Sequence, residues 1–140
     1  MTVSTLTVTV GEKLPELAIY GDPTFIVSSA IATRDYQDVH HDRDLAQEKG
    51  SKDIFVNILT DTGLVQRFVT DWAGPRAVLK SIKLKLGVPW YAYDTLVLSG
   101  EVTAVENDVV TVDVVGKDSL GDHIKSTVAL TFNLKDGAHA

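Results

Sequence analysis

Residues 53–75 read DIFVNILTDTGLVQRFVTDWAGP. Within this stretch Ile54, Ile58, Val65, Val69 and Trp72 recur at spacings of three, four and seven, and Leu64 and Phe68 widen the same stripe. That period predicts a helix of about five turns, with Asp53 placed to cap its start and Gly74 and Pro75 to stop it. Asp61, Gln66, Arg67, Thr70 and Asp71 fall mostly off the stripe, while Thr60, Thr62 and Gly63 are small enough to let a sheet approach. A helix with one apolar stripe needs a partner surface.

The chain downstream offers one. Four segments, AVLKSIKLKLGV, DTLVLSGEVTAVE, VVTVDVVGKDS and DHIKSTVALTFNL, have strand-like patterns. In the first, Ile82, Leu84 and Leu86 alternate with Lys83 and Lys85, and ENDV at 106–109 is a hairpin signal. Upstream, TFIVSSAIAT follows the turn signal YGDP and predicts a buried strand starting near Thr24; residues 34–53 are polar. A long helix followed by antiparallel strands implies an α+β domain, with an antiparallel sheet wrapped around one long central helix. The outer face or edge of such a sheet suits oligomerisation, so at least a dimer is expected.

Composition bounds the possibilities. With 140 residues, 44% apolar and 23% charged, the chain has the size and balance of one globular domain, 1–140. No internal repeat is visible, and only the first few residues and KDGAHA read as loose ends. No apolar run approaches the roughly 20 residues of a bilayer span, and the N-terminus lacks a signal-peptide pattern, so a cytoplasmic protein without a membrane role is expected. There is no cysteine, hence no disulfide framework and no thiolate for catalysis or zinc. A formal charge of −6 without a basic stripe argues against nucleic acid as a partner. Lys80, Lys83 and Lys85 are too few to change that, although they suit an anionic small molecule.

The chemistry concentrates in RDYQDVHHD, residues 34–42. One reading makes Asp35, Asp38, Asp42 and Asp44 solvated loop charges and His40 and His41 surface histidines. A second is a metal site, but adjacent histidines do not readily converge on one ion and no helical His-x-x-x-His pair is present, so none is expected. A third pairs Asp35 with His40 as carboxylate and imidazole, able to hold one water by two hydrogen bonds and move its proton. Composition alone leaves all three open. For Phe55, Trp72 and Trp90 the expectation is core or interface; His123 reads as an exposed strand-edge residue and His139 as tail.

The segment DYQDVHHDRDLA, Asp35 to Ala46, resembles the hydratase motif of MaoC-like enoyl-CoA hydratases: an Asp, a His five residues later, an Asp two further on, and then a small residue. The resemblance extends through GSKDIFVNILTDTGLVQRFV, similar to that family's entry into its central helix, and VPWYAYDTLVLSGEV, similar to its strand entry. It implies the hot dog fold, in agreement with the helix and strands read above. Over nearly the whole chain, including LPELAIYGDPTFIVSSAIATRDYQDVHHDRD, the sequence resembles the small MaoC-like subunits of actinobacterial steroid side-chain enoyl-CoA hydratases. Two positions depart from the general family pattern. Gln37 and Asp38 stand where it has Asn and Pro, and Phe55, Val56, Asn57 and Ile58 stand where it has Ala-His-Gly-Met.

The resemblance implies hydration of a trans-enoyl-CoA bearing a three-carbon steroid side-chain remnant. Asp35 and His40 would hold the attacking water, Asp35 as the favoured base, and a backbone N–H at Val56 or Asn57 would stabilise the thioester oxygen. No cofactor is implied, because the coenzyme A thioester is the substrate. The implied partners are a larger MaoC-like subunit, in an α2β2 heterotetramer, and a downstream aldolase complex. Since one domain with a helix through its middle can hardly enclose a ring system, the partner would make room for it. Rival readings are a noncatalytic acyl-CoA-binding or scaffolding subunit, and hot dog thioesterase chemistry.

Overall fold

A computed structural model of the chain describes residues 7–133; His139 and the KDGAHA tail lie outside the described residues. Five strands form one antiparallel sheet: β1 (Lys13–Gly21), β2 (Ala77–Leu86), β3 (Asp94–Glu106), β4 (Val109–Asp118) and β5 (Gly121–Phe132), in the order β1-β3-β4-β5-β2. Three helices accompany it: α1 (Pro23–Ala32), the short α2 (Arg43–Glu48) and α3 (Ile58–Ala73). The sheet curls around α3, as the hot dog expectation requires. The four expected strands are present, and the β3–β4 hairpin turns on Asn107 and Asp108, whose φ values of 49° and 66° are those of a two-residue type I′ loop.

Alternation along the strands builds the core. Leu96, Leu98 and Val102 of β3, Val110, Val112 and Val114 of β4, and Ile124, Val128 and Leu130 of β5 all point at α3 and are buried. From the helix side Leu64, Val65, Phe68, Val69 and Ala73 meet them, so the stripe read from the sequence is the buried face. Close approach is made possible by the sheet. A Cβ on Gly100 would lie 2.8 Å from Phe68 Cε1, whereas one on Gly63 would meet nothing within 4 Å. Gly63 therefore does not mediate the close approach, while Thr60 lies on the buried side.

Several expectations need correction. The helix begins at Ile58, later than the Asp53 cap implied: Asn57 Oδ1 accepts from Thr60 N–H at 3.1 Å and caps it. Residues 54–56 are extended instead and pair with 90–92 through Val56 N–H to Trp90 O and Ala92 N–H to Ile54 O, each 3.1 Å. Consequently Ile58 lies exposed at the helix start. Asp61, placed mostly off the apolar stripe, is fully buried.

The segment after YGDP is the helix α1, with Asp22 as its N-cap, accepting from Phe25 N–H at 2.7 Å, and Pro23 in the first helical position. The Asp-Pro pair that read as a turn is a helix start, where a proline's missing N–H does no harm. Strand β1 escaped the sequence because a bulge between Leu14 and Leu17 breaks its alternation. Pro15 sits inside that bulge, on an edge strand where a missing donor is tolerated. Among the described residues no helix is long and apolar enough to cross a membrane.

Candidate active site

The site is assembled where α1 ends, a single 3-10 turn (Asp38–His40) follows, and α3 begins. Helix α1 terminates in a Schellman arrangement: Asp35 N–H reaches back to Ala30 O at 2.9 Å and Arg34 N–H to Ile31 O at 3.0 Å. Arg34 takes the left-handed conformation, φ 58°, in the place usually given to glycine. A non-glycine residue held there costs about 1 kcal/mol or more. The consequence is that Asp35 leaves the helix pointing toward the entry of α3.

His40 is fixed from two directions by Phe55. The Phe55 N–H donates to Val39 O at 3.1 Å, and His40 Nδ1 lies 2.7 Å from Phe55 O. A carbonyl only accepts, so Nδ1 carries a proton. In the neutral imidazole Nε2 is then a bare acceptor, and it faces Asp35 Oδ2 at 3.4 Å. Two acceptors side by side, one buried and one partly open, are suited to a molecule with two protons to donate.

The remaining acidic and histidine residues of the segment separate from this pair. Asp42 caps α2 by accepting from Leu45 N–H at 3.0 Å, and Asp38 pairs with Lys49 at 3.0 Å. His41 is exposed while His40 is buried, so the two histidines do not converge. The solvated-loop reading thus holds for Asp38, Asp44 and His41, and fails for Asp35 and His40.

Asp35 and His40 open into a cavity of about 350 Å³ whose apolar wall is formed by Phe55, Val56, Ile58 and the segment Leu86–Pro89. Phe55 lies edge-on to the His40 ring, centroids 4.9 Å apart. Trp90 is fully buried behind the wall, in keeping with its expected core role, and Trp72 is half-buried with its indole N–H on Glu12 Oε2 at 3.1 Å.

Of the two expected oxyanion donors, Val56 is ruled out by geometry, because its N–H is already committed to the Trp90 carbonyl. No described residue accepts from the Asn57 N–H, nor from those of Ile58 and Leu59 in the first turn of α3, where helical N–H groups lack intrahelical partners. Asn57 itself is buried and its side chain bonds to Asp35 Oδ2 at 3.1 Å. The sequence held one sign of this, an Asn three residues before a Thr at the foot of an apolar stripe, which is a capping pattern.

His123 also lines the cavity, and it corrects the reading of this residue as an exposed strand-edge position. It is 2% exposed, with Nδ1 2.6 Å from Val88 O and Nε2 2.8 Å from Oδ2 of the fully buried Asp61. Burial pushes the Asp61 carboxyl up; the hydrogen bond and charge of His123 oppose this without cancelling it, and Asp118 adds to it. Burial alone pulls the His123 imidazole down, but its bond to Asp61, the Asp61 charge and the Val88 carbonyl outweigh that, and the net direction is upward. Both directions say that the pair holds the proton between Nε2 and Oδ2 tightly. Asp61 Oδ1 has no hydrogen-bond partner among the described residues. The pair ties the cavity wall at Val88 to the core face of α3.

No family model matches the chain. It is 72% identical over 123 residues, 88% of this chain and 95% of the relative, to the 3-oxo-4,17-pregnadiene-20-carboxyl-CoA hydratase beta subunit of Mycobacterium tuberculosis. Among solved structures it superposes on a chain of the ChsH1-ChsH2 complex from Mycobacterium tuberculosis with a TM-score of 0.89 and 69% identity, covering 91% of this chain and all (100%) of that one. The (R)-hydratase from A. caviae involved in PHA biosynthesis matches with a TM-score of 0.83 over 91% of this chain and 98% of that chain; at 16% identity it shares the fold.

Proposed function

The chain belongs to the MaoC-like hydratase family of hot dog fold, and from that premise we propose that it is the catalytic small subunit of a heteromeric enoyl-CoA hydratase. The relative is named as a 3-oxo-4,17-pregnadiene-20-carboxyl-CoA hydratase subunit, which supports a substrate of the same class for this chain, a steroid-CoA thioester with an unsaturated three-carbon side-chain remnant. The observation that carries the reading is the placement of the Asp35 carboxyl and the His40 imidazole, with Oδ2 and Nε2 3.4 Å apart at the mouth of an apolar cavity.

A water held there donates one hydrogen to each acceptor, which aims an oxygen lone pair outward at the substrate's β-carbon. As the new C–O bond forms, Asp35 takes a proton from the water and His40 keeps it oriented through its bond to the Phe55 carbonyl. The π electrons move toward the thioester, whose oxygen becomes negative and is met by the free N–H of Asn57 at the α3 N-terminus. The protonated carboxyl then returns the proton to the α-carbon, so that water has been added and the pair is restored. Removing one oxyanion donor typically costs about 3 kcal/mol of transition-state stabilisation.

A cavity of about 350 Å³ is near the lower end of small-molecule sites. A ring system therefore needs space from a second subunit, in an α2β2 assembly with a larger MaoC-like chain. The exposed apolar side chains of Tyr36, Ile58 and Leu59, beside or within the site segments, are the kind of surface such a partner covers.

The test mixes the chain with its larger partner and follows loss of the enoyl-thioester absorbance on a steroid-CoA substrate. Asp35→Asn and His40→Ala should each abolish turnover while assembly is intact. Undiminished turnover in both would make this chain a scaffolding subunit, and release of free thiol with the chromophore retained would assign thioesterase chemistry instead.

A further inference from the structure

The Asn57 side chain makes more bonds than a helix cap requires. Its Oδ1 accepts from both the N–H and the hydroxyl of Thr60, as a cap does. Its Nδ2 donates to Thr33 Oγ1 at 2.9 Å and to Asp35 Oδ2 at 3.1 Å. Which end of the amide points where follows from its neighbours. The Thr60 N–H can only donate, so it must face Oδ1; the Thr33 hydroxyl has its proton directed at the carbonyls of Ser29 and Ala30, 2.8 and 3.0 Å away, so it must accept. The amide cannot flip without breaking bonds at both ends. One N–H is thereby held on the carboxylate oxygen that faces His40.

We infer that Asn57 is a positioning residue for the Asp35–His40 pair, clamping the Asp35 carboxylate to the first turn of α3. This rests on the hydratase reading above. The clamp joins three elements: the C-terminus of α1 through Thr33, the segment carrying Asp35, and the N-terminus of α3 through Thr60. Since the oxyanion donor is the backbone N–H of the same residue, Asn57 sets the separation between the water-holding oxygen and the donor that meets the thioester. Asp35 Oδ1 receives only the Gln37 N–H at 3.3 Å, and His40 is the one titratable side chain in contact with Oδ2 among the described residues. Without the amide, the carboxylate is free to rotate away from the imidazole. Asn57 is 1% exposed, so in the folded chain its amide meets Asp35 without competition from solvent. The position is one where the family resemblance leads to glycine, which would supply the backbone donor but no clamp.

The test compares Asn57→Ser and Thr33→Val in the assembled complex, with Asp35→Asn alongside. Serine retains a capping oxygen and the backbone N–H but is too short to reach Asp35. Thr33→Val leaves Asn57 in place and removes the acceptor that orients its amide. The clamp predicts that kcat per folded complex falls about 10- to 100-fold in Asn57→Ser, the scale of a 1 Å misplacement, with KM within about twofold, alongside the modest fall in unfolding midpoint that loss of a buried hydrogen bond brings. Thr33→Val should lose less kcat, again at constant KM. A purely structural role would lower the midpoint and leave kcat per folded complex intact, which overturns the inference. Should Asn57→Ser fail to assemble, wild-type kcat in Thr33→Val overturns it equally. Full turnover in Asp35→Asn would refute the hydratase assignment itself, an outcome distinct from loss in Asp35→Asn with none in Asn57→Ser.

Discussion

The Asp61–His123 pair should govern how stability responds to pH, and replacing the carboxyl by an amide should reverse the sign of that response. Unfolded, the carboxyl titrates near 3.8 and the imidazole near 6.5. Folded, the pair keeps the proton between Nε2 and Oδ2 to higher pH than a free imidazole does. Above 6.5 the native chain therefore binds more protons than the unfolded chain, so the His123 contribution is fully present below 6.5 and is lost as pH rises through the folded value. In Asp61→Asn the bridging hydrogen belongs to an amide and cannot dissociate. His123, accepting it at Nε2 and donating from Nδ1 to Val88 O, stays neutral in the folded chain. Its contribution is then present above 6.5 and lost as pH falls, the opposite slope.

The size of the effect follows from burial, with both side chains at 2% exposure or less. Asp61→Asn preserves a hydrogen bond and should cost about 1 kcal/mol. Asp61→Ala leaves the imidazole unpaired in the core and should cost about 3–5 kcal/mol, a fall of roughly 10–20 °C in midpoint for a chain of this length. The assay is thermal unfolding of the assembled protein at fixed protomer concentration across about pH 5.5–8.5. Taking the difference between Asp61→Asn and wild type cancels the groups they share. A difference that does not change with pH would show that no proton is held between the two residues, and near-equal midpoints for Asp61→Ala and wild type would refute the argument from burial.

Two further predictions concern packing and turn geometry. Gly100→Ala places a methyl 2.8 Å from Phe68 Cε1 and 3.3 Å from Asp113 O, so it should destabilise by about 1–3 kcal/mol, partly relieved by Phe68→Leu, as read from denaturant midpoints. Asp108→Gly removes a side chain from a position at φ 66° and makes the loop Asn-Gly; it should stabilise by about 0.5–1 kcal/mol, and a lower midpoint than wild type would contradict the type I′ assignment.

The central helix and the four strands β2 to β5 were legible because each is announced by its own local period, whereas Asp35 and His40 were singled out only by the resemblance of their segment to a hydratase motif, their residue types alone leaving three readings open. Where local signals competed, reading failed. Asp22-Pro23 serves a turn or a helix start equally well, and only the bond from Phe25 N–H to Asp22 decides for α1. The bulge at Leu14 and Leu17 removed the alternation that would have marked β1. Asp53 and Asn57 were both competent caps, and the pairing of 54–56 with 90–92 excluded the earlier one.

What the chain alone determined is the central helix, the four strands β2 to β5 and the short segment that carries Asp35 and His40, all of them made of residues near one another in sequence. The tertiary structure decided which groups surround that pair. Asn57 meets Asp35 across 22 residues and His123 meets Asp61 across 62. Neither encounter has a periodic signature. Each depends on strand register and on where α3 enters the sheet, and these are set by the summed packing of the core rather than by any short stretch of chain. A buried polar side chain takes the partner its position supplies, so the partners of Asp61 and Asn57 became visible only when that position was fixed.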